Sequence, residues 1–436
     1  MPAYFCAFFC VEQNLISGME MIEATIVTIG DELLIGQVID TNSSWMAQQL
    51  NRVGVKVKKR LAIADDFDAV YEMLAAETGK VNIVLITGGL GPTSDDITKE
   101  VLCDFFGGRM VVNSQALQNV KYLFESVYKK PMNEAVLSQA EVPDVCDVIL
   151  NKRGTASGMV FQKEGTVFVS MPGVPYEMQG LMEDVLLLIE KQFELPAIVH
   201  RTALTAGAGE SLLAALINDF ERSLPEEIRL AYLPAYGTVR LRLSTSGVDR
   251  LAVEKNIDRE FDKMKSLISD YLVSDSDESM TEVVGRMLQQ KNKTLATAES
   301  CTGGAIASLV TSIPGASGWF CGSVVSYSNE VKQEVLQVKA HTLEAYGAVS
   351  EQTVIEMLQG VIKNLNTDYG IAVSGIMGPG GGNEEKPVGT VWIAVGNAQK
   401  HVTRKLKQRF DRIKNIEVTA TQALNELRLF LKNEKL

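Results

Sequence analysis

Short apolar runs that end in glycine, separated by stretches with helical spacing, constrain this chain more than any other feature. Residues 24–29 stop at Gly30, and residues 83–87 run into Gly88, Gly89, Leu90, Gly91 and Pro92. Between them Trp45, Met46, Leu50 and Val53 recur at helical spacing, with Thr41, Asn42 or Ser43 as cap and Gly54 as terminator. Residues 55–63 read as a strand, 68–78 as a helix, and 95–106 as a helix with acidic residues in its first turn. Buried strands alternating with helices predict a parallel, doubly wound sheet. The pattern returns after residue 280, with strands at 294–298, 322–327, 370–374 and 389–395, helices from Thr302 and over 350–365, and a last helix after Ile413. Between these regions, strands at 202–206, 228–233 and 238–244 with helices from Ser211 and Asp249 predict a small α+β unit. The expected fold is therefore α/β: two doubly wound three-layer αβα domains, over 21–185 and 273–436, joined by an α+β domain over 186–272.

Composition narrows the function. Lys and Arg number 42 against 54 Asp and Glu, a net charge of −12, which repels phosphate backbones and argues against a general nucleic-acid binder. Cys6, Cys10, Cys103, Cys146, Cys301 and Cys321 form no CxxC, and His200, His341 and His401 are far apart, so no zinc spacing exists. A reduced, cytoplasmic setting fits this usage. The apolar start lacks any Lys or Arg before Arg52, so it has no positive region of a signal peptide. It also falls short of the ~20 residues that span a bilayer. Residues 1–20 read as a loose arm or, preferably, as sequence upstream of a start at Met19 or Met21. No later segment reaches spanning length without charges.

Three segments of the last region can carry chemistry. In Ala298, Glu299, Ser300, Cys301, Thr302, Gly303 and Gly304 a strand ends and a helix begins, leaving unpaired N–H groups that suit a phosphate or an oxyanion. Ser300 stands where a nucleophile would; helix capping is the commoner task of Ser300 or Thr302 in such a place. Tyr327, Ser328, Asn329, Glu330, Val331 and Lys332 follow another strand. A lysine whose charge is disfavoured can deprotonate a serine, whereas most helix lysines are solvated. Gly375 to Gly382, with Lys386 to Thr390 after it, is a glycine-rich loop without the GK[ST] of a Walker loop. Its bare amides suit a phosphate. Cys301 is a rival nucleophile or, more ordinarily, a small buried hydrophobe.

The first region repeats the logic. Gly88 to Thr98 leads from a strand end into a helix start that suits a phosphate, with Asp95 or Asp96 placed for a hard cation. Acidic residues also favour a helix start for its dipole alone. Gly30, Asp31 and Glu32, and Met171 to Pro175, mark two further strand ends.

Taken together, these motifs resemble the competence/damage-inducible CinA family from Met21 onward. Thr28 to Glu32, Asp40 to Asn42, Gly88 to Thr98 and Met171 to Pro175 are similar to the molybdopterin-binding domain of MogA and MoaB. In CinA proteins the resemblance implies metal-dependent ADP-ribose pyrophosphatase activity there. The residues implied at that nucleotide are Gly30, Asp31, Glu32, Asn42, Gly88, Gly89, Gly91, Asp96, Thr98 and Pro172, with Asp31 and Asp96 beside a divalent cation (Mg, Mn or Co). The middle region resembles a KH-like domain but shows only Gly207, Ala208, Gly209, Glu210 and Ser211 in place of GXXG, so nucleic-acid binding is not expected and a spacer or dimer-forming role is.

The last region resembles nicotinamide-nucleotide amidase, which converts nicotinamide mononucleotide to nicotinate mononucleotide and ammonia without a cofactor. The resemblance implies Ser300 as nucleophile with Tyr327 and Lys332. It also implies oxyanion and substrate contacts from Thr302, Gly303, Gly304, Gly375, Gly378, Pro379, Gly380, Gly381 and Arg412. Asn383 stands where a threonine is usual, and the basic motif before the last helix is reduced to Arg412 and Lys414. A homodimer is expected by family, and no membrane contact is expected because no segment reaches spanning length without charges. The non-enzymatic alternative is a nucleotide-sensing scaffold linked to competence or DNA damage.

Overall fold

The computed structural model describes residues 21–93, 96–132, 134–235 and 237–434; the expected N-terminal extension, Cys6, Cys10 and Asp95 lie outside them. The chain forms two compact units, one holding the chain up to Val199 with Thr245–Lys255, the other His200–Ser244 with Asn256–Leu436. Among the described residues no helix is long and apolar enough to cross a membrane.

In the first unit, strands β1 (Glu23–Ile29), β2 (Lys56–Ile63), β3 (Ile83–Thr87), β4 (Asp147–Ile149), β5 (Gly158–Lys163) and β6 (Thr166–Met171) pair in the order β2-β1-β3-β6-β5-β4. Helices α1 (Thr41–Arg52) and α4 (Pro175–Gln192) cover one face, α2 (Phe67–Glu77) and α3 (Thr98–Phe106) the other. Side chains alternate accordingly: Ala24 and Ile26 of β1 face α1 and α4, whereas Val27 and Ile29 join the core under α2 and α3. The sheet is only partly parallel. β5 and β6 pair antiparallel because the Glu164-Gly165 turn between them, with both residues at positive φ, is a hairpin and leaves no room for a crossover helix.

A sheet that lies mostly in the second unit joins β7 (Ala197–Ala206), β8 (Arg229–Ala235), β9 (Thr238–Gly247) and β10 (Leu272–Ser274), in the order β8-β9-β7-β10, with helices α5 (Glu210–Arg222) and α6 (Arg250–Leu267). The polar run at 274–279 caps α7 (Met280–Gln290) through a Ser279/Glu282 capping box. A further sheet joins β11 (Leu295–Glu299), β12 (Phe320–Val325), β13 (Tyr369–Gly375), β14 (Thr390–Asn397) and β15 (His401–Lys407), in the order β12-β11-β13-β14-β15. Only β12, β11 and β13 are parallel. The loop over 376–389 contains no helix, so β14 returns antiparallel. Helices α7, α8 (Ala305–Thr311) and α11 (Arg412–Asn433) cover one face, and α10 (Glu351–Leu365) the other.

Both α/β sheets place their first strand between the second and third. The crevice at the carboxyl ends of the first and third strands is where such sheets bind ligands, and it lies beside Gly30 and Gly88 in one sheet, Ser300 and Gly375 in the other.

Candidate active site

Ser300 follows β11, and its N–H continues the ladder to Val373 O at 3.0 Å. The next strand ends at Val325, two residues earlier than the sequence suggests. Ser328 then caps α9 (Asn329–Glu334), accepting the Val331 N–H. That turn of helix points Lys332 back under the sheet edge instead of into solvent. Lys332 is 1% exposed and Ser300 8%. The lysine Nζ donates to Ser300 Oγ at 3.0 Å and to the Ser326 carbonyl at 2.7 Å. Burial holds the ammonium below its ordinary pKa. A serine hydroxyl paired with a lysine inclined to lose its proton can act as nucleophile and base. Cys301 is no rival: burial pushes its thiol up to about 12.

The helix start is not open to a ligand, contrary to expectation. α8 begins at Ala305, three residues later than the sequence suggests, and the fully buried Glu299 carboxylate fills its N-terminus. It accepts the N–H groups of Gly304 (3.1 Å), Ile306 (3.0 Å) and Ala307 (2.8 Å). Gly303 N–H is taken by Ser300 O at 3.2 Å. Gly303 and Gly304 therefore shape the turn, at φ 61° and 100°, rather than donate to an oxyanion. Among the described residues Thr302 keeps an N–H without an acceptor, and its buried hydroxyl has no partner.

No hydrogen bond joins Tyr327 to the Ser300–Lys332 pair. Its ring is 62% exposed, and its hydroxyl accepts from Arg412 Nη2 at 2.8 Å. Arg412 Nη1 donates to Gly378 O at 2.8 Å. The arginine thus ties the end of β12 to the glycine-rich loop. Asn415, fully buried on α11, fixes the same loop by donating to Met377 O at 3.1 Å and Phe410 O at 2.8 Å. Gly375 ends β13, while Pro379, Gly380 and Gly381 are exposed. Asn383 and Lys386 close the loop on themselves, and Lys386 Nζ reaches Tyr346 O at 2.6 Å.

In the first unit, Gly88 and Gly89 leave β3 at φ 120° and 63°. A Cβ on Gly89 would stand 2.1 Å from Thr98 Oγ1, so only glycine fits. α3 starts at Thr98, whose N–H bonds Gly89 O. The buried Thr98 hydroxyl and the buried Asn42 Oδ1 have no partners. Asn42 Nδ2 donates to Gly173 O at 2.7 Å, beside Pro172, whose carbonyl accepts from Thr87. Asp40, not Asn42, caps α1. Gly30, Asp31 and Glu32 sit at the end of β1, with both acidic side chains exposed.

A divalent cation does not fit the residues assigned to it. Asp96 spends its oxygens on Gly91 N–H (2.7 Å) and on the Thr93 N–H (2.9 Å) and hydroxyl. No hydrogen bond connects it to Asp31. Among the described residues no group of three or more His, Cys, Asp or Glu is placed to hold a metal.

Three matches to family models tile the chain: a CinA C-terminal domain over 277–431, a domain described as "Probable molybdopterin binding domain" over 25–192, and a damage-inducible protein CinA KH domain over 200–273. A CinA-like protein of Cytophaga hutchinsonii is 44% identical over 415 residues, covering 95% of this chain and 99% of its own. The chain belongs to the CinA family. A CinA-like protein of Flavobacterium psychrophilum is 45% identical over 404 residues, 92% of this chain and 97% of its own. Among solved structures, the competence damage-inducible protein A (ComA) from Klebsiella pneumoniae is 34% identical, covering 36% of this chain and 100% of its own with a TM-score of 0.35.

The CinA C-terminal match contains Ser300, Tyr327, Lys332 and Arg412 together. Three further residues of this CinA-family chain emerge only from the structure. Glu299 carries a sequence signal, an acid closing an apolar strand; Asn415 carries none. Lys99, next to Thr98, is 8% exposed, donates to Gln139 O at 3.4 Å, and is lowered to about 8 by burial.

Proposed function

We propose that the C-terminal region hydrolyses the carboxamide of nicotinamide mononucleotide to nicotinate mononucleotide and ammonia. The observation that carries this reading is the buried Lys332 amine 3.0 Å from Ser300 Oγ. Lys332, unprotonated, takes the Ser300 proton as Oγ attacks the carboxamide carbon. Thr302 N–H, and its hydroxyl when turned, receive the oxyanion. Lys332 returns the proton to the departing nitrogen, and the C–N bond breaks to release ammonia. Water then attacks the acyl-serine, giving its proton to Lys332, which restores the Ser300 hydroxyl. The exposed Tyr327 ring offers a flat face to a pyridine ring, and Arg412 with the 375–381 loop suits the phosphate. Incubating the full chain with nicotinamide mononucleotide tests this. Ammonia and nicotinate mononucleotide form in equal amounts, and Ser300→Ala abolishes both. Binding without turnover would favour a nucleotide-sensing scaffold instead.

A second reading belongs to the first unit: binding and hydrolysis of ADP-ribose at the Gly88–Gly89 turn. It is favoured by the unpartnered Asn42 Oδ1 and Thr98 Oγ1, since buried polar atoms without partners call for a ligand or water. AMP formation from ADP-ribose, measured with and without added Mg²⁺, Mn²⁺ or Co²⁺, tests it. Absence of AMP under every condition contradicts it.

A further inference from the structure

We propose that Glu299 is a positioning residue for the Ser300 nucleophile, resting on the deamidase reading only for the substrate used. A carboxylate with no exposed surface is costly unless its charge is fully hydrogen-bonded. Glu299 is bonded on both oxygens. Oε2 takes Gly304 and Ile306 N–H, and Oε1 takes Ala307 N–H. Oε1 also accepts the Ser323 hydroxyl at 3.4 Å, and Ser323 Oγ in turn accepts the Thr297 hydroxyl at 2.7 Å. An ordinary N-cap comes from the residue adjoining the helix; here the cap reaches across the whole Ser300–Gly304 turn from the strand before it. That turn is consequently closed into a ring, anchored by Ser300 N–H on Val373 O at one end and by Glu299 on Gly304 N–H at the other.

Two consequences follow for the chemistry. Ser300 Oγ is held against Lys332 Nζ by the backbone and not merely by its rotamer. The positive end of α8 is neutralised internally, so unpaired donors near the serine lie outside the helix start, Thr302 among them. Glu299 touches no reacting atom; it acts through the turn.

The test compares the full chain with Glu299→Gln, whose amide nitrogen cannot accept an N–H, and with Ser323→Ala, which removes one contact to Oε1. Each is treated with a fluorophosphonate, which forms an Oγ–phosphorus bond at a reactive serine as fluoride leaves and Lys332 takes the proton. Labelling of Ser300 by Glu299→Gln slows by about 10- to 100-fold, the effect of misplacing a reacting group. Its kcat for ammonia release from nicotinamide mononucleotide falls in parallel, with KM within about two-fold. Ser323→Ala slows labelling by about three-fold, as expected of one lost hydrogen bond. Folded variants that label and turn over at the wild-type rate overturn the proposal; if Glu299→Gln does not fold, Ser323→Ala decides alone. A wild-type chain labelled at Ser300 that releases no ammonia overturns the substrate while the labelling rates still judge Glu299. A wild-type chain that is not labelled overturns both.

Discussion

Lys332 shows how burial converts an ordinary residue into a reagent. Its stem lies under the sheet edge and its amine has two acceptors but no carboxylate, so the charged form gains little to offset desolvation. Between its folded-state pKa and the ordinary 10.5, the unfolded chain binds more protons than the folded one. Stability attributable to this group therefore rises with pH across that window. Lys332→Met removes the buried amine while keeping most of its volume. The variant should lose ammonia release by roughly 10²- to 10⁴-fold, the contribution of a positioned base. Its stability advantage over wild type in urea titrations should be greatest near neutral pH and shrink as pH rises toward 10.5. An advantage that grows with pH would show that the wild-type amine is not destabilised by burial.

At the scale of elements, the site is a product of register. β11 pairs with β12 and β13 so that Glu299 lies opposite Val325 and Val373, which brings the residues after three strands to one edge. Asn415 then joins α11 to the loop after β13. Asn415→Ala would leave the Met377 and Phe410 carbonyls without their side-chain donor, at a cost of about 1–3 kcal/mol. It should lower the thermal midpoint and raise KM for nicotinamide mononucleotide more than it lowers kcat. A KM unchanged in a destabilised variant would separate the loop from substrate binding. The strands and their carboxyl-end glycines were legible because period-two burial and glycine punctuation are local signals. The antiparallel returns of β5 and β14 were not, since direction depends on whether a helix intervenes. Nor were the delayed starts of α3 and α8, because Thr98 and Glu299 cap or brace those turns through contacts remote from helical spacing. Ser300 and Lys332 were readable as types in a pattern; their proximity was not, because it depends on α9, a six-residue helix whose turn tucks the lysine inward.

Across the whole chain, the same device occurs twice: a first strand set between the second and third, with glycines or small residues leaving its carboxyl end. The polar atoms at each edge differ. One has a serine and a buried lysine, the other unpartnered side-chain oxygens on Asn42 and Thr98 beside an aspartate occupied within its own loop. The net charge of −12 argues against a broad basic surface for a nucleic-acid backbone. The most direct measurement is the pH dependence of kcat/KM for ammonia release from nicotinamide mononucleotide by the full chain, beside Lys332→Ala. Activity should rise with pH along a limb whose midpoint lies below 10.5, and the variant should lose both the limb and the activity. Near wild-type turnover by Lys332→Ala, or a limb centred at the ordinary lysine value, would contradict the account.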